Sequence, residues 1–321
     1  MLANNPVVSV IVISYNSREM TLACLLALSA DLAGLSADIW LVDNASTDGS
    51  VEAIRNEYPT INIIANTDNI GFGAANNQAF ERAKGDFFLL LNSDAFPIPG
   101  AIRAMLTCLE SHPEAAAVGP RLLNRDGSLQ RSCYRFPGPL RCVYENLLLT
   151  AAFPNNACFG DYRGWSHDSQ RYVDFVIGAA LLVRRTVVEQ IGPFDPSFFM
   201  YAEETDWQLR MHMAGWKVLF APQAQVTHYG GESSTAGMKD RQFCEFNRAS
   251  TRFMLKHYGR SGWCVQRAAM VTGGILRLGL WSLLYFTGRG RRQEAVKNIA
   301  DWVRLLRWWL GGGPYIGLAE L

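Results

Sequence analysis

The sequence lacks an excess of charge of either sign. Its 321 residues include 30 Lys and Arg against 29 Asp and Glu, which leaves a formal net charge of +1. A chain this close to neutral is not expected to bind nucleic acid through bulk electrostatics. Charged residues make up only 18% of the chain and apolar residues 49%, a balance typical of a globular protein and not of a disordered one.

Cysteine patterns that would indicate a disulfide framework or a zinc site are also lacking. The seven cysteines are an odd number, and no Cys-x-x-Cys motif occurs. Free thiols in a reducing cytosol are therefore the favoured interpretation. The first six residues carry no basic residue, and the apolar run Val7–Ile13 is only as long as a strand. The sequence consequently predicts no signal peptide.

Strands and helices alternate through the first ninety residues. The β-branched run Val7–Ile13 predicts a buried strand, and helical segments separate it from further strands at Ile39–Val42, Ile61–Ile64 and Asp86–Leu91. This alternation predicts an α/β fold with a mostly parallel, Rossmann-like sheet and right-handed crossovers. The turn at Ser14–Ser17 contains no glycine, which argues against a dinucleotide-binding dehydrogenase.

Polar residues follow four successive strands of this predicted sheet. Ligands of such sheets bind at the carboxyl ends of the strands. The four residues at these ends are Tyr15, Asp43, Asn69 and Asp94. An acidic residue at the end of a buried strand suits a divalent cation held against a diphosphate, because Mg²⁺ and Mn²⁺ share their ligands between carboxylates and phosphates. A turn or a helix cap is the ordinary alternative for such a residue.

The second half of the chain is less regular. Residues 121–172 combine glycine, proline and aromatic residues, and we expect long loops there over the working edge of the sheet. Beyond them the pattern predicts a strand region, two helices and a further strand. These segments are Val173–Arg184, Val187–Ile191, Thr205–Ala214 and Lys217–Phe220.

The last sixty residues form an amphipathic helical tail. The longest uncharged run there, Leu278–Gly288, is shorter than the roughly 20 residues of a bilayer span. Gln266 and Arg277 fall on nearly one line of a helical wheel, a polar stripe expected of a helix that lies in a membrane interface. A basic linker and a second amphipathic helix with Ile299, Trp302, Val303, Leu306, Trp309 and Leu310 on one face follow. Attachment to the membrane surface is favoured, and packing against the domain or a second subunit is the alternative.

Seven segments, in register, resemble the inverting glycosyltransferases of family 2, and especially their rhamnosyltransferase-like branch. The segments are Val8–Asn16, Val42–Ser50, Asn69–Asn77, Leu91–Asp94, Gly178–Arg185, Phe198–Asp206 and His228–Ser234. The resemblance implies a GT-A fold with a nucleotide-sugar-binding half at 1–120 and an acceptor-binding, catalytic half at 121–260. Residues 261–321 remain as the helical tail.

The resemblance assigns Asp43 to the nucleotide base. Its carboxylate would accept the N3–H of a uracil or thymine ring in a charge-assisted hydrogen bond, and Tyr15 would pack against the base. An Asx turn is the alternative for Asp43 and the favoured interpretation of Asp48. The other residues expected at the nucleotide sugar are Asn16, Gly71, Phe72, Gly73, Asn77, Asn92, Ser93, Asp94, Ser233, Ser234 and Arg248.

The resemblance also implies a metal site at Asp94 and His228. The family has Asp-x-Asp where this chain has Asn92-Ser93-Asp94, so Asp94 is the one carboxylate assigned to the cation. Mn²⁺ or Mg²⁺ is expected, with the histidine favouring Mn²⁺ slightly. For a lone histidine, a hydrogen bond within a loop is the alternative.

The catalytic base implied by the resemblance is Glu204, with Glu203 as the rival. Asp206 and Arg210 would support the loop as an i,i+4 ion pair. Residues expected at the acceptor are Gly178, Ala179 and Tyr201. The implied reaction moves a sugar, L-rhamnose as first choice, from a dTDP- or UDP-linked donor to a glycan or lipid-linked glycan at the inner face of the cytoplasmic membrane. Another hexosyl- or galactofuranosyltransferase, or a non-catalytic nucleotide-sugar-binding scaffold, is the alternative. A homo-oligomer remains open.

Overall fold

The N-terminal half of the sheet consists of parallel strands joined by helices, as the alternation predicts. The strands are β1 (Val8–Ser14), β2 (Ala37–Asp43), β3 (Asn62–Ala65) and β4 (Phe87–Asn92), and the helices between them are α1 (Arg18–Asp31), α2 (Ser50–Glu57) and α3 (Phe72–Phe80). β1 pairs in parallel with β2 and with β4, and β2 pairs in parallel with β3. Both faces of β1 are buried, which explains its nearly continuous apolar sequence.

The remaining elements complete the computed structural model, which describes residues 6–230, 236–287 and 292–312. They are β5 (Ala95–Pro97), α4 (Ala101–Glu110), β6 (Ala115–Leu123), β7 (Leu129–Gln130), β8 (Cys133–Tyr134), α5 (Pro139–Asn146), α6 (Leu149–Ala152), a 3₁₀ turn (Tyr162–Gly164), β9 (Arg171–Val173), β10 (Phe175–Val176), β11 (Ala180–Arg184), α7 (Arg185–Ile191), α8 (Glu203–Met213), β12 (Lys217–His228), α9 (Ala236–Thr287), α10 (Arg292–Arg307) and a π turn (Trp308–Gly312).

One large mixed sheet carries most of these strands, in the order β3-β2-β1-β4-β11-β6-β12-β5. β11 runs antiparallel between β4 and β6, whereas β12 runs parallel to β6. The short strand β5 pairs antiparallel with the end of β12. This last pairing brings the segment after β4 to the segment after β12, although the two are far apart in the sequence.

The expectation of long loops over 121–172 is wrong in part. The segment contains the end of β6, the short strands β7 and β8, the start of β9 and the helices α5 and α6. Pro139 occupies the first turn of α5, where its missing N–H costs nothing. The predicted strand over Val173–Arg184 is instead divided into three short strands, because the chain bends between β10 and β11.

The described chain divides into two units. The sheet unit runs to Phe136 and includes Ser166–Glu245, and the helical unit comprises Pro137–Trp165 and the residues from Phe246 onward. The predicted division at 1–120, 121–260 and 261–321 does not coincide with these units, since 137–165 group with the C-terminal helices. None of the seven cysteines forms a disulfide, as expected.

The polar line of α9 faces the protein and not the outside, contrary to the interpretation from the helical wheel. Gln266 is only 2% exposed and donates to Ser250 Oγ at 2.7 Å. Arg277 donates to the carbonyls of Glu145 and Asn146 at 2.9 Å each. These contacts lie within the helical unit, so the opposite face of α9 is the one left outside.

That outward face of α9 is apolar. Its members recur at helical spacing from Val265 to Phe286, and they are Val265, Ala268, Thr272, Ile275, Leu276, Gly279, Leu280, Leu283 and Phe286. Leu283 is 61% exposed and Phe286 78%. By length and composition, α9 is also the one helix among the described residues that could cross a membrane. The sequence analysis predicted the opposite, because the uncharged run Leu278–Gly288 is shorter than a bilayer span.

The second predicted amphipathic helix, α10, packs its apolar face inward. Leu306 lies so close to Gly274 of α9 that a Cβ there would approach it within 2.8 Å. The Trp302 ring lies 4.9 Å from the guanidinium of Arg277. Lys297 and Asp301 are exposed on the opposite face. For α10, therefore, packing within the unit is what the structure shows.

Candidate functional site

Asp94 and His228 meet at one edge of the sheet. Asp94 follows β4 after one turn, and His228 is the last residue of β12. Ala95, the first residue of β5, lies opposite His228, and Tyr229 N donates to the Asp94 carbonyl at 3.0 Å. His228 Nε2 consequently lies 3.3 Å from Asp94 Oδ1. The two residues that the resemblance assigns to a metal are thus brought together by strand pairing.

The pair fits a divalent cation whose shell the protein fills only in part. Among the described residues, no group of three or more His, Cys, Asp and Glu side chains converges. One carboxylate oxygen and one imidazole nitrogen are donor types that Mn²⁺ and Mg²⁺ accept. Both side chains keep some exposure, 18% for Asp94 and 11% for His228, so diphosphate and water can complete the shell.

Two neighbours of this pair are not additional anionic ligands. Asn92 Nδ2 lies 3.4 Å from His228 Nε2 as a neutral amide. Cys24 donates its thiol to the Asn92 carbonyl at 3.6 Å. Burial, and after it the charge of Asp94, raises the pKa of the Cys24 thiol far above its usual range, so Cys24 stays protonated.

Gln130 is a site residue that the sequence analysis missed. Its amide oxygen lies 2.6 Å from His228 Nδ1, and its amide nitrogen donates to the His228 carbonyl at 3.1 Å. The two residues are 98 positions apart, and Gln130 lies in a two-residue strand with no motif around it. Only the pairing of β7, β6 and β12 could reveal this contact.

Asp43 uses one carboxylate oxygen in a turn and leaves the other without a donor. Oδ2 accepts from Ser46 N at 2.8 Å, as in an Asx turn. Oδ1 is buried and has no hydrogen-bond partner among the described residues. A buried acceptor without a donor is costly. Oδ1 can therefore accept from a ring N–H of a ligand while Oδ2 closes the turn. Asp48 accepts from Ser50 N at 3.1 Å in its own turn and from Arg18 N at 2.9 Å.

The loop after β1 is fastened to the Asp43 loop. Asn16 N donates to Ser46 Oγ, and Asn16 Oδ1 accepts from Thr47 N, both at 2.8 Å. Asn16 has a φ of 48°, a conformation that asparagine tolerates better than most residues. Its observed part is to position the loop. Tyr15 is 39% exposed, so its ring is accessible to a base, and Ser93 Oγ lies 3.4 Å from Ser17 Oγ at the same edge.

The glycines at 71 and 73 let α3 approach the loop before α8. Gly71 has a φ of 87°, and a Cβ there would collide with the Phe199 carbonyl, which accepts from Phe72 N at 3.0 Å. A Cβ at Gly73 would lie 3.1 Å from Phe194 Cβ. These contacts are with protein, so the approach of the glycines to a phosphate stays a prediction.

Asn76 and Asn77 of α3 use their side-chain amides to bind backbone atoms. Asn76 is fully buried and donates to the Phe72 carbonyl at 2.9 Å. Asn77 donates to the Phe194 carbonyl at 2.9 Å and accepts from Phe194 N at 3.0 Å. Both amide groups satisfy backbone atoms, and Asn77, expected at the nucleotide sugar, is thereby committed to holding the Phe194 loop.

A strained turn leads into α8 and its two glutamates. Tyr201 and Ala202 have φ angles of 69° and 62°, which are uncommon for residues other than glycine. Each such residue costs of order 1–3 kcal/mol, and strain of this kind concentrates at functional sites. Glu203 is 5% exposed and Glu204 is partly exposed. Oε2 of each is buried without a hydrogen-bond partner among the described residues.

Burial raises the pKa of both carboxyl groups. For Glu204, hydrogen bonds from backbone N–H groups, including that of Gly178, oppose the effect of burial. For Glu203, burial acts first and the charge of Glu204 raises its pKa further. The two adjacent carboxyl groups share their protons, so the pair holds its last proton to a higher pH than an ordinary carboxyl does. Burial, and after it negative charge on the glutamate pair, raises the pKa of Tyr201, so its hydroxyl remains a donor.

The bend between β10 and β11 connects the glutamates with the strand end that carries Asp94. A Cβ on Gly178 would lie 3.5 Å from Glu204 Cβ. The carbonyl of Ala179, which is itself buried, accepts from Asn92 N at 2.9 Å. The residues expected at the acceptor thus lie between the carboxyl pair and the end of β4.

Asp206, the third acid of this segment, is part of the framework. It is fully buried and accepts from Arg210 Nε at 3.0 Å, the expected i,i+4 ion pair. Arg210 also donates to the carbonyls of Ile191 and Pro193 at 2.9 and 2.6 Å. Through Arg210, Asp206 anchors α8 to the turn that follows α7, and a direct part in catalysis for Asp206, which the resemblance to the family also allows, stays a prediction.

Three residues expected at the donor are not placed by these contacts. Ser233 and Ser234 lie outside the described residues. Arg248 belongs to the helical unit. The parts expected of them at the diphosphate stay predictions.

The mixed sheet, with its polar strand edge, has the fold of the GT-A class. A solved mannosyltransferase from Pyrobaculum calidifontis, in complex with GDP-mannose and Mn²⁺, has a similar fold with a TM-score of 0.57. The similarity covers 97% of this chain and 88% of that one, at 16% sequence identity. At this identity the likeness concerns the fold alone.

The chain belongs to glycosyl transferase family 2, whose sequence profile matches residues 9–169. It is 33% identical over 208 residues to the N-acetylglucosaminyl-diphospho-decaprenol L-rhamnosyltransferase of Mycobacterium tuberculosis, covering 61% of this chain and 67% of that relative. It is 34% identical over 171 residues to the rhamnosyltransferase WbbL of Escherichia coli, covering 50% of this chain and 61% of that protein. The predicted family and fold class are confirmed.

Proposed function

We propose that this glycosyltransferase moves L-rhamnose from a dTDP-linked donor to a lipid-linked glycan, with inversion at the anomeric carbon. The observation that carries the proposal is the meeting of Asp94 and His228 at the sheet edge to which the Glu204 loop is joined. The two rhamnosyltransferase relatives support the choice of sugar, and the name of the mycobacterial relative supports an acceptor in which N-acetylglucosamine is joined to a lipid through a diphosphate.

The donor nucleotide would lie over the loops after β1 and β2. Asp43 Oδ1 is the acceptor for the ring N–H of thymine or uracil, since it has no donor of its own among the described residues. The accessible ring of Tyr15 supplies the stacking surface. Asn16 holds the two loops together through Ser46 and Thr47.

Asp94 and His228 would hold Mn²⁺ or Mg²⁺ against the diphosphate. A cation bound there would neutralise the charge that develops on the departing nucleoside diphosphate. Because Asn92 stands where an Asp-x-Asp motif has its first aspartate, the protein supplies one carboxylate fewer. The coordination shell of the cation would therefore depend on oxygens of the substrate. Binding of the metal and of the donor is therefore expected to be mutually dependent.

Glu204 would act as the general base. It removes the proton from the acceptor hydroxyl, the hydroxyl oxygen attacks the anomeric carbon, and the nucleoside diphosphate leaves from the opposite face. Glu203, kept protonated, excludes water and a second negative charge from the same place. Because the displacement is a single step, no nucleophilic Ser or Cys takes part.

The outward face of α9 would bring the enzyme to its lipid-linked acceptor. This face is apolar and about 32 Å long over 21 residue steps. Between Phe246 and Gln293 the sequence carries nine Lys and Arg and no Asp or Glu. An apolar helix face within a basic segment suits the surface of an anionic bilayer, and the charged outer face of α10 favours lying on the bilayer over crossing it.

The test is transfer of labelled rhamnose from dTDP-rhamnose to an N-acetylglucosaminyl diphosphate lipid. We expect EDTA to stop the transfer and Mn²⁺ to restore it. Asp94→Asn should abolish transfer, whereas Asp86→Asn, at the exposed opposite end of β4, should not change it. Transfer that continues in excess EDTA would show that the reaction does not depend on a metal. Transfer only from other nucleotide sugars would reassign the donor, and none from any donor would favour a nucleotide-sugar-binding scaffold.

A further inference from the structure

We propose that Gln130 is a positioning residue that fixes the ring tautomer of His228, so that Nε2 presents its lone pair to the cation at Asp94. The inference deepens the proposed function and rests on it for the identity of the site. Gln130 acts entirely through His228, with which it makes two hydrogen bonds.

The hydrogen-bond network determines how the Gln130 amide is oriented. Asn124 Nδ2 donates to the Leu129 carbonyl at 3.4 Å and to Ser128 Oγ at 2.9 Å, which turns Asn124 Oδ1 toward Gln130. Gln130 Nε2 lies 3.0 Å from that oxygen and 3.1 Å from the His228 carbonyl. A backbone carbonyl only accepts, so the atom beside it must be the nitrogen of the Gln130 amide.

This orientation settles which ring nitrogen of His228 carries the proton. Gln130 Oε1 faces His228 Nδ1 at 2.6 Å, and an amide oxygen only accepts. Nδ1 must therefore be the donor, and in the neutral ring Nε2 is left with a lone pair. Metal-ligating histidines are commonly held in this way, with the other ring nitrogen donating to a neighbouring oxygen.

The bare nitrogen points at a carboxylate. His228 Nε2 lies 3.3 Å from Asp94 Oδ1. Two atoms that both carry lone pairs repel each other at this distance unless positive charge lies between or beside them. A divalent cation that binds both atoms removes this repulsion, and the Asn92 amide at 3.4 Å compensates for it only weakly.

The position of Gln130 is built into the sheet. β7 pairs antiparallel with β6, with Gln130 opposite Leu122, and β6 pairs in parallel with β12, which ends at His228. The turn between β6 and β7 contains Gly127 at a φ of 80° and is closed by Asn124. Gln130 is thus placed by backbone pairing and is not a mobile side chain that happens to lie nearby.

The test compares the full chain with its Gln130→Met and Gln130→Glu variants. Methionine keeps the size of the side chain but removes the acceptor for Nδ1, whereas glutamate keeps an acceptor there. Two quantities are measured: the tautomer of His228 by ¹⁵N NMR of the metal-free protein at about pH 8, where an unperturbed imidazole is neutral, and the affinity for Mn²⁺ by electron paramagnetic resonance.

We expect the wild-type ring to carry its proton on Nδ1. Gln130→Met should yield a mixture of tautomers and weaken Mn²⁺ binding about 10- to 100-fold, and Gln130→Glu, which keeps the acceptor for Nδ1, should restore the wild-type tautomer. Gln170→Met is the matched control, because Gln170 contacts a different histidine, His112, at 2.9 Å and should leave His228 and Mn²⁺ unaffected.

An unchanged tautomer and an unchanged Mn²⁺ affinity in Gln130→Met would overturn the inference. A wild-type ring protonated on Nε2 would also overturn it. If the variant changes the tautomer but the wild-type protein binds no Mn²⁺, Gln130 keeps its positioning role and the metal of the proposed function fails. The two proposals therefore fail in distinguishable ways.

Discussion

The carbonyl oxygen of Phe199 occupies the space in which a side chain at Gly71 would begin. The same carbonyl accepts a hydrogen bond from Phe72 N at 3.0 Å, and the Gly71 carbonyl accepts from Asn44 Nδ2 at 3.3 Å. Through one glycine, the loop beside the expected nucleotide base is connected with the loop that leads to the two glutamates of α8. A substitution that shifts one of these loops is therefore expected to shift the other loop as well.

We expect Gly71→Ala to destabilise the sheet unit and to lower the rate of transfer. Gly71 has a φ of 87° and a ψ of 170°, a backbone conformation essentially confined to glycine that costs of order 1–3 kcal/mol for a residue with a Cβ, and the collision with Phe199 adds to this cost by displacing the loop before Glu203. Gly192→Ala is the matched control, since Gly192 has nearly the same backbone, with a φ of 81° and a ψ of 169°, but the nearest neighbour of an added Cβ is Arg210 Nη1 at 4.0 Å. Urea unfolding and transfer kinetics of both variants test this. Equal effects would contradict the role of Phe199.

The two glutamates are expected to differ in catalysis. Glu204→Gln should lower the rate of transfer about 10²- to 10⁴-fold, as removal of a general base does. Glu203→Gln should stay within a few fold of wild type, because glutamine resembles the protonated form in which Glu203 is held. The check is the rate of the chemical step, measured at saturating donor. A larger loss in Glu203→Gln than in Glu204→Gln would reverse the assignment.

Stability should depend on pH through Glu203. Burial, and then the charge of Glu204, raises the pKa of this carboxyl well above 4.5 in the folded protein. Between about 4.5 and the raised pKa the folded state binds more protons than the unfolded state, so the free energy of unfolding falls as pH rises.

Glu203→Gln removes this dependence. Its stability relative to wild type should therefore increase from about pH 4 toward pH 7 and above. Denaturant titrations at several pH values measure the difference, and Asp126→Asn serves as a control for an exposed carboxyl whose pKa is lowered instead. A difference that stays constant with pH would show that Glu203 ionises freely in the folded protein.

The outward face of α9 should be required for binding to lipid. Leu283→Asp places a charge on this face, where the side chain is 61% exposed, and should weaken binding to vesicles that contain anionic lipid. Val296→Asp is the control, because Val296 is 55% exposed on the charged outer face of α10. Co-sedimentation with vesicles measures both. If Leu283→Asp still binds vesicles but changes the oligomeric state, a second copy of the chain covers the face.

Local sequence patterns sufficed for much of the fold. The strands β1 to β4 and the helices between them were predictable because buried parallel strands are continuously apolar and end in polar turns. The irregular composition of 121–172 concealed α5 and α6, since short helices carry little periodic signal. The helical wheel of α9 correctly grouped Gln266 with Arg277 but gave no information on which side the protein lies. That depended on the carbonyls of Glu145 and Asn146.

The sequence by itself determined the class of protein and the residue types of the site, because the chemistry of Asp43, Asp94, Glu204 and His228 belongs to their side chains and their motifs are contiguous. Tertiary structure alone decided how they work together. The pairing of β5 with β12 places Asp94 beside His228, and Gln130 orients the ring across 98 residues. Burial, which is a property of the folded chain, raises the pKa of both adjacent glutamates.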